Sequence, residues 1–282
     1  MKKTIFSVLI LCAVFLTSCL KGVDEVEKLN ENDKLIKEYL SANSLTPTND
    51  AEGVYAVVRD LNPSARKLTV GDSVFVNYEI FLLDGTRVMG NEAGKPLQLI
   101  HGYAPLYGID VALSWMRIGE KATVLIPYTY AFGSGGSSDK KVPGYTPIRL
   151  ELELVSARSE AERMAEYIEK KGYEVGLITP DNLNIVWLKN VEEGDSLGLG
   201  KYATVAYKGY FMTGEKFDEG AFEMLTGDQT SIKGFDLGVR RLKMGEKAVL
   251  IFPSKLGYGD RVYNKIPAFS PLAFEVEITK VR

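Results

Sequence analysis

The sequence predicts an α+β fold built twice in tandem, and three observations carry that prediction. The stretch Met116-Arg117-Ile118-Gly119-Glu120-Lys121-Ala122 recurs as Leu242-Lys243-Met244-Gly245-Glu246-Lys247-Ala248, and each copy runs on through a β-rich stretch to a proline, Pro127 or Pro253. Each copy closes on a strict alternation of apolar and acidic residues, Leu150-Glu151-Leu152-Glu153-Leu154 and Phe274-Glu275-Val276-Glu277-Ile278. That period of two marks a sheet with one wet face. Between the strands each copy holds one short helix; in the second it runs from about Gly234 to Leu242, with Phe235, Val239 and Leu242 on one side. The period of this repeat exceeds that of any solenoid, so the simplest reading is two copies of one domain. A chain of 282 residues agrees with two domains, each large enough to bury a core.

The composition narrows the class further. With 34 basic and 37 acidic side chains the formal charge is −3, so no basic excess exists to neutralise a phosphate backbone, and nucleic-acid binding is disfavoured. Apolar residues at 45% and charged ones at 25% are those of an ordinary globular protein.

At the N-terminus, Lys2 and Lys3 precede an apolar run from Ile5 to Leu16, which at 12 residues is too short to span a bilayer. It reads as a signal peptide over residues 1–18. The run ends in Leu16-Thr17-Ser18-Cys19, which resembles the bacterial lipoprotein box. The resemblance implies that Cys19 is lipidated, becomes the new N-terminus and holds the chain on a membrane. Leu20 in the next position implies the outer membrane under the common sorting rule. Cys12, the other cysteine, lies within the removed segment, so no disulfide, thiol catalyst or cysteine zinc site is expected in the mature chain.

Residues 19–32 are polar and acidic without clear periodicity and read as a tether. Within 33–49, Leu35, Ile36, Tyr39 and Leu40 form an apolar stripe at helical spacing. Within 157–179, Met164, Tyr167 and Ile168 repeat the pattern. Both stripes are expected to dock on a neighbouring domain and carry no chemistry. The two copies are assigned to residues 50–156 and 180–282. In the first, Val74, Val76, Tyr78 and Ile80 make a half-buried strand, matched in the second by Val205 and Tyr207 within Thr204–Phe211.

The second copy also contains Val205-Ala206-Tyr207-Lys208-Gly209, Gly214-Glu215-Lys216-Phe217-Asp218, Ile232-Lys233-Gly234-Phe235, Leu256-Gly257-Tyr258-Gly259 and Lys265-Ile266-Pro267, in that order. In order and spacing these stretches resemble the FKBP-type peptidyl-prolyl isomerase domain, which the chain would then hold twice. The resemblance implies a bent antiparallel sheet wrapped around a short helix, with a proline-binding aromatic pocket between them. It makes Tyr207, Phe217, Phe222 and Phe274 the walls, Phe235 the floor, Ile232 and Ile266 the rim, and Asp218 and Tyr258 the polar pair. Tyr207, Phe217, Asp218, Tyr258 and Phe274 would carry catalysis; Phe222, Ile232, Phe235 and Ile266 would bind substrate. A backbone N–H near Ile266 is a further candidate donor. Rotation about an X-Pro bond needs no nucleophile, metal or cofactor, so none is expected. This copy departs from the family by Phe235 in place of tryptophan and by a short connection, Glu219-Gly220-Ala221, between Asp218 and Phe222.

The first copy departs further. Tyr78 persists, but Val88-Met89 replace the Phe-Asp pair, Phe132 the flap tyrosine, Ile109 the floor and Leu150 the terminal-strand phenylalanine. It is expected to keep the fold with little or no activity. His101, the single histidine, reads as structural. Gly133-Ser134-Gly135-Gly136-Ser137-Ser138 lacks the lysine of a phosphate loop and reads as a flexible loop. The acidic faces at Glu151, Glu153, Glu275 and Glu277 read as solvated. Two functions follow: an envelope-tethered prolyl isomerase acting on proline-containing exported or unfolded polypeptides, and a non-catalytic binding protein presenting the same clefts. Oligomeric state is not legible.

Overall fold

The computed structural model describes residues 24–282, so the apolar N-terminal run and Cys19 lie outside the described residues. Helix α1 (Glu25–Ala42) leads into β1 (Asn49–Ala51), β2 (Val54–Arg59), β3 (Ser73–Leu82), β4 (Arg87–Gly90), β5 (Leu97–Ile100), α2 (Tyr107–Trp115), β6 (Lys121–Ile126), a 3-10 turn at Tyr128–Tyr130 and β7 (Ile148–Arg158). Helix α3 (Glu160–Lys171) then opens the same series again. It continues as β8 (Leu177–Ile178), β9 (Asn184–Lys189), β10 (Tyr202–Phe211), β11 (Lys216–Leu225), α4 (Lys233–Val239), β12 (Lys247–Phe252), a 3-10 turn at Ser254–Leu256 and β13 (Leu272–Val281). The first sheet runs β1-β2-β6-β7-β3-β4 with β5 also on β3, and the second β8-β9-β12-β13-β10-β11. Every strand pair is antiparallel.

The duplication extends to irregularities of register. Along β3 the pairing with β7 shifts between Phe75 and Val76, and that with β4 between Ile80 and Phe81. Along β10 the shifts fall at the matching places, Thr204/Val205 and Gly209/Tyr210. Bulges add twist and bend the strand that carries them, so each central strand is curved at the same two points. The short helix is buried against each sheet. Ile109, Ala112 and Leu113 of α2 pack with Val76, Ile80, Val124 and Leu150; Phe235 and Val239 of α4 pack with Val205, Leu250, Phe252 and Val276. A glycine at the start of each helix sets the approach: a Cβ on Gly108 would stand 2.4 Å from Ile126, and one on Gly234 2.5 Å from Phe252.

The repeated Gly-Glu-Lys stretch is a loop staple. Glu120 and Glu246 are 3% and 1% exposed. Glu120 accepts the N–H groups of Asn62 (2.9 Å) and Arg117 (2.8 Å). Glu246 accepts those of Lys243 (2.9 Å) and Val191 (3.3 Å) and the Trp187 indole (3.1 Å). A buried carboxylate is tolerated when several N–H donors satisfy it, and here it joins two loops that would otherwise carry orphan amides.

The amphipathic helices belong to the repeat. Ile36 and Leu40 pack on Leu125 of β6, and Met164 and Tyr167 on Val186, Val249, Ile251 and Ala273; each helix covers the outer side of the sheet that follows it. Each also caps the 3-10 turn of that sheet. Asn32 Oδ1 accepts the Tyr128 N–H (3.0 Å) while its Nδ2 donates to the Tyr145 carbonyl (2.9 Å). Glu160 accepts both the N–H and the hydroxyl of Ser254 at 2.6 Å.

Several expectations are corrected. Residues 25–32 are not a tether but the first turns of α1, started by Asp24, which accepts the Val26 and Glu27 N–H groups; only Asn32 of this stretch is buried, so no apolar stripe betrayed the helix. Strand β7 runs on through Arg158, and Leu177 and Ile178 already pair with β9, so the linker between the sheets is shorter than 157–179. The segment 133–138 is tied down: Ser137 N–H donates to the Val142 carbonyl (2.9 Å), and its hydroxyl accepts the Val142 N–H and donates to Asp139. The acidic faces are ion-paired as well as solvated, Glu275 with Lys247 (2.8 Å) and Glu151 with Arg149 and Arg59. His101 is structural, 5% exposed and 3.4 Å from Asp110.

Replacing Glu246 by alanine strands three donors in a buried site, and we expect a loss of about 2–4 kcal/mol in unfolding free energy. Urea denaturation of the full chain checks this; an unchanged midpoint would remove the staple from the account.

Candidate active site

In the second domain, four elements and one loop bring the expected pocket residues together. Tyr207 comes from β10, Phe217, Asp218 and Phe222 from β11, Phe235 from α4, Phe274 from β13 and Tyr258 from the segment after the 3-10 turn. The rings form one cluster. Phe235 stands edge-on to Phe274 (centroids 5.4 Å) and to Tyr207 (6.0 Å), Phe217 edge-on to Phe274 (5.6 Å), and Phe222 lies 5.7 Å from both Tyr207 and Phe235. Edge-to-face packing at these distances is favourable and orients each ring. Phe235 and Phe274 are buried at the base, whereas Phe222 is 38% exposed at the edge.

Gly209, which sequence reasoning assigned no role, makes the cluster possible. A Cβ there would come within 2.6 Å of the Phe217 ring and 3.1 Å of Phe274. In the first domain the matching position on β3 is Ile80, fully buried among Val88, Ile109 and Leu150. Branched aliphatic side chains thus fill the space that the second domain gives to rings. The signal was visible as a glycine inside an otherwise regular strand, which often marks close approach by another group.

The polar groups sit above the rings. The Tyr207 hydroxyl donates to Asp218 Oδ2 at 2.8 Å, and the Glu219 N–H donates to Asp218 Oδ1 at 2.9 Å. Burial, and then the Asp218 carboxylate, push the Tyr207 hydroxyl up to about 12, so it remains a donor. Tyr258 stacks on Tyr263 with centroids 4.3 Å apart and planes at 10°. Burial, followed by the charges of Tyr263 and Asp218, raises its hydroxyl too, and no hydrogen bond engages that hydroxyl among the described residues. Asp218 therefore orients Tyr207 while Tyr258 keeps a proton to offer.

Two expectations about the rim change. The Ile266 N–H is not available: it donates to the Tyr263 carbonyl (2.8 Å) and the Tyr263 N–H returns the bond (2.9 Å), closing a tight turn with Asn264 at φ 50°. Ile232, directly before α4, spends its carbonyl on the Phe235 and Asp236 N–H groups, and its own N–H has no partner among the described residues. The amide left without a partner among the described residues is thus that of Ile232 and not that of Ile266, whose side chain stays buried with the aromatic cluster. Second, Glu219-Gly220-Ala221 is not a shortened loop but unbroken strand, paired with Lys208, Tyr207 and Ala206. In the first domain the strand stops at Gly90, and Asn91 Oδ1 takes the Tyr78 N–H at 2.6 Å.

In the first domain, Met89 and Phe132 stand where Asp218 and Tyr258 stand in the second, and both pack against the core. Neither side chain carries the hydroxyl or carboxylate of its counterpart.

The family model of the FKBP-type peptidyl-prolyl cis-trans isomerase matches residues 64–155 and again 194–279. Human peptidyl-prolyl cis-trans isomerase FKBP9 is 27% identical over 220 residues, covering 76% of this chain and 35% of the relative. Rat peptidyl-prolyl cis-trans isomerase FKBP4 is 26% identical over 250 residues, covering 85% and 50%. The chain therefore spans half or less of the length of these curated relatives. Among solved structures, the three FKBP domains of wheat FKBP73 align over 81% of this chain and 94% of theirs at 24% identity and a TM-score of 0.41. FkpA from Escherichia coli aligns over 43% and 58% at 27% identity and a TM-score of 0.38. Two matches in series, one on each sheet and together more than half of the residues, establish that the chain belongs to the FKBP-type peptidyl-prolyl cis-trans isomerase family.

Proposed function

We propose that the chain is a peptidyl-prolyl cis-trans isomerase whose activity resides in the second domain, and that it assists the folding of exported polypeptides from a lipid anchor at Cys19 on the outer membrane. The observation that carries the catalytic part is the Tyr207–Asp218 hydrogen bond over five clustered rings, with the Tyr258 hydroxyl unengaged beside it. The anchor rests on Lys2, Lys3, the apolar run to Leu16 and the Leu16-Thr17-Ser18-Cys19 box.

The chemistry asked of such a site is modest. Rotation about an X-Pro bond faces a barrier of roughly 20 kcal/mol that comes from amide resonance, and no covalent bond breaks. The charge-separated resonance form of the planar amide is favoured by water and disfavoured among Phe217, Phe235 and Phe274, so transfer into the pocket lowers the cost of twisting. The rings hold the proline while the preceding residue turns. Tyr258 and the Ile232 N–H supply donors for the substrate carbonyls, and Asp218 fixes the wall formed by Tyr207.

Three outcomes are expected from isomerisation assays of the soluble full chain on a short proline peptide. Asp218→Val and Tyr258→Phe each lower kcat/KM by about tenfold, or about 1.4 kcal/mol of transition-state stabilisation. The double variant falls about a hundredfold although the first domain is intact; a double variant that keeps nearly the wild-type rate would place activity in the first domain after all. Because burial raises both the Tyr207 and the Tyr258 hydroxyls, both stay protonated and the rate is flat from about pH 6 to about pH 9. A wild-type chain that binds the peptide without accelerating its isomerisation would make the site a holding cleft instead.

A further inference from the structure

A cleft of about 750 Å³ lies between the two domains, a volume typical of ligand sites. Its apolar lining includes Phe75 of β3, Tyr167 of α3, and Phe211 and Phe217 of the second domain. Phe217 is also a wall of the aromatic pocket, in contact with Phe274. The segment after Tyr263 is shared in the same way: Lys265 and Pro267 line the cleft, while Ile266 between them packs into the pocket cluster. A polypeptide whose proline occupies the pocket therefore meets the cleft as it leaves.

The charge of the cleft is opposite to that of the chain. Five cationic side chains line it (Arg158, Arg163, Lys170, Lys216 and Lys265) against two carboxylates, Glu166 and Glu215, in a chain of net charge −3. Arg158 is paired with Glu166 (2.5 Å) and Lys216 with Glu219 (2.7 Å). Arg163, Lys170 and Lys265 have no ion pair among the described residues. Arg163 gives its Nη2 to the carbonyls of Gly71 and Phe269, both at 3.0 Å, and its buried Nε has no acceptor.

On the isomerase reading above, we propose that this cleft holds the stretch of substrate to one side of the target proline and selects polypeptides with aspartate or glutamate there. Apolar walls accommodate the extended chain, and the exposed Lys170 and Lys265 supply the complement for its carboxylates. At roughly 3.3 Å per extended residue, a tract a few residues from the proline is within reach of a cleft that begins at Phe217.

The test uses the soluble full chain and peptides sharing one X-Pro centre: a short uncharged peptide, and longer ones with three aspartates or three lysines on either side of the proline. Both kcat/KM and Kd, the latter by fluorescence anisotropy, are measured. The aspartate peptide of one side only is expected to gain about fivefold over its lysine counterpart, and the gain shrinks at about 0.5 M salt. Lys170→Glu lowers that ratio about threefold, while Glu166→Gln, which frees Arg158, raises it; both keep the wild-type rate on the short peptide. Equal ratios on both sides, or a ratio indifferent to both variants, would overturn the proposal. If the short peptide is not turned over at all, the isomerase reading fails, and the anisotropy ratio still decides the cleft.

Discussion

Everything in each domain depends on one packing constraint: a single short helix must cover the apolar face of a sheet far larger than itself. Seven to nine helical residues do this only because the helix backbone sits directly on the sheet, at Gly108 over Ile126 and at Gly234 over Phe252, and because the central strand bends at two bulges. The helix still leaves part of the face uncovered. In the first domain the buried side chains of Ile80, Val88 and Leu150 fill that remainder. In the second, Gly209 withdraws a side chain and rings stand on edge around the space. The hollow is thus the same gap in the same architecture, closed in one copy and walled in the other.

The two copies also separate the residues that make the fold from those that make the site. Glu120 and Glu246, Gly108 and Gly234, and the paired bulges keep their identity or their place. The capping side chains of the helices change identity but not role, Asn32 in one and Glu160 in the other. What differs lies at the positions that face the gap. Replacing Asp218 by Met89 and Tyr258 by Phe132 removes polar groups that a filled core could not satisfy, so the loss of both together is what burial in an apolar site requires.

This division explains what was legible in the sequence. The tandem α+β architecture was readable because alternation in β7 and β13 and the Gly-Glu-Lys stretch are local patterns repeated in order. The aromatic constellation was readable by resemblance, and the structure gathers Tyr207, Phe217, Phe222, Phe235 and Phe274 into one cluster. The start of α1 was not readable, because its one buried residue there is an asparagine whose partners, Tyr128 and Tyr145, lie about a hundred residues away. Nor was the state of the Ile266 amide, which depends on whether the turn back to Tyr263 closes. The strand through Glu219-Gly220-Ala221 reads as a shortened connection because the family resemblance sets a longer one there, and only its pairing with β10 shows that it is strand.

The helices show how duplication produces a feature that neither copy has alone. Position for position, α1 and α3 lie on the outer sides of their own sheets, but α3 also faces the preceding domain. Where α1 carries the exposed Leu35, α3 carries Arg163, which bonds to a carbonyl of each domain, and Glu162 reaches Arg66 at 3.3 Å. A guanidinium with several donors in a fixed plane suits such a role better than a point charge, since it can satisfy carbonyls from two directions at once. Arg163 thus spends its donors on a carbonyl of each domain, with the carboxylates of Glu160 and Asp72 close enough to act on its charge. One cation of the cleft beside Phe217, Arg163, therefore stands there because it joins the domains.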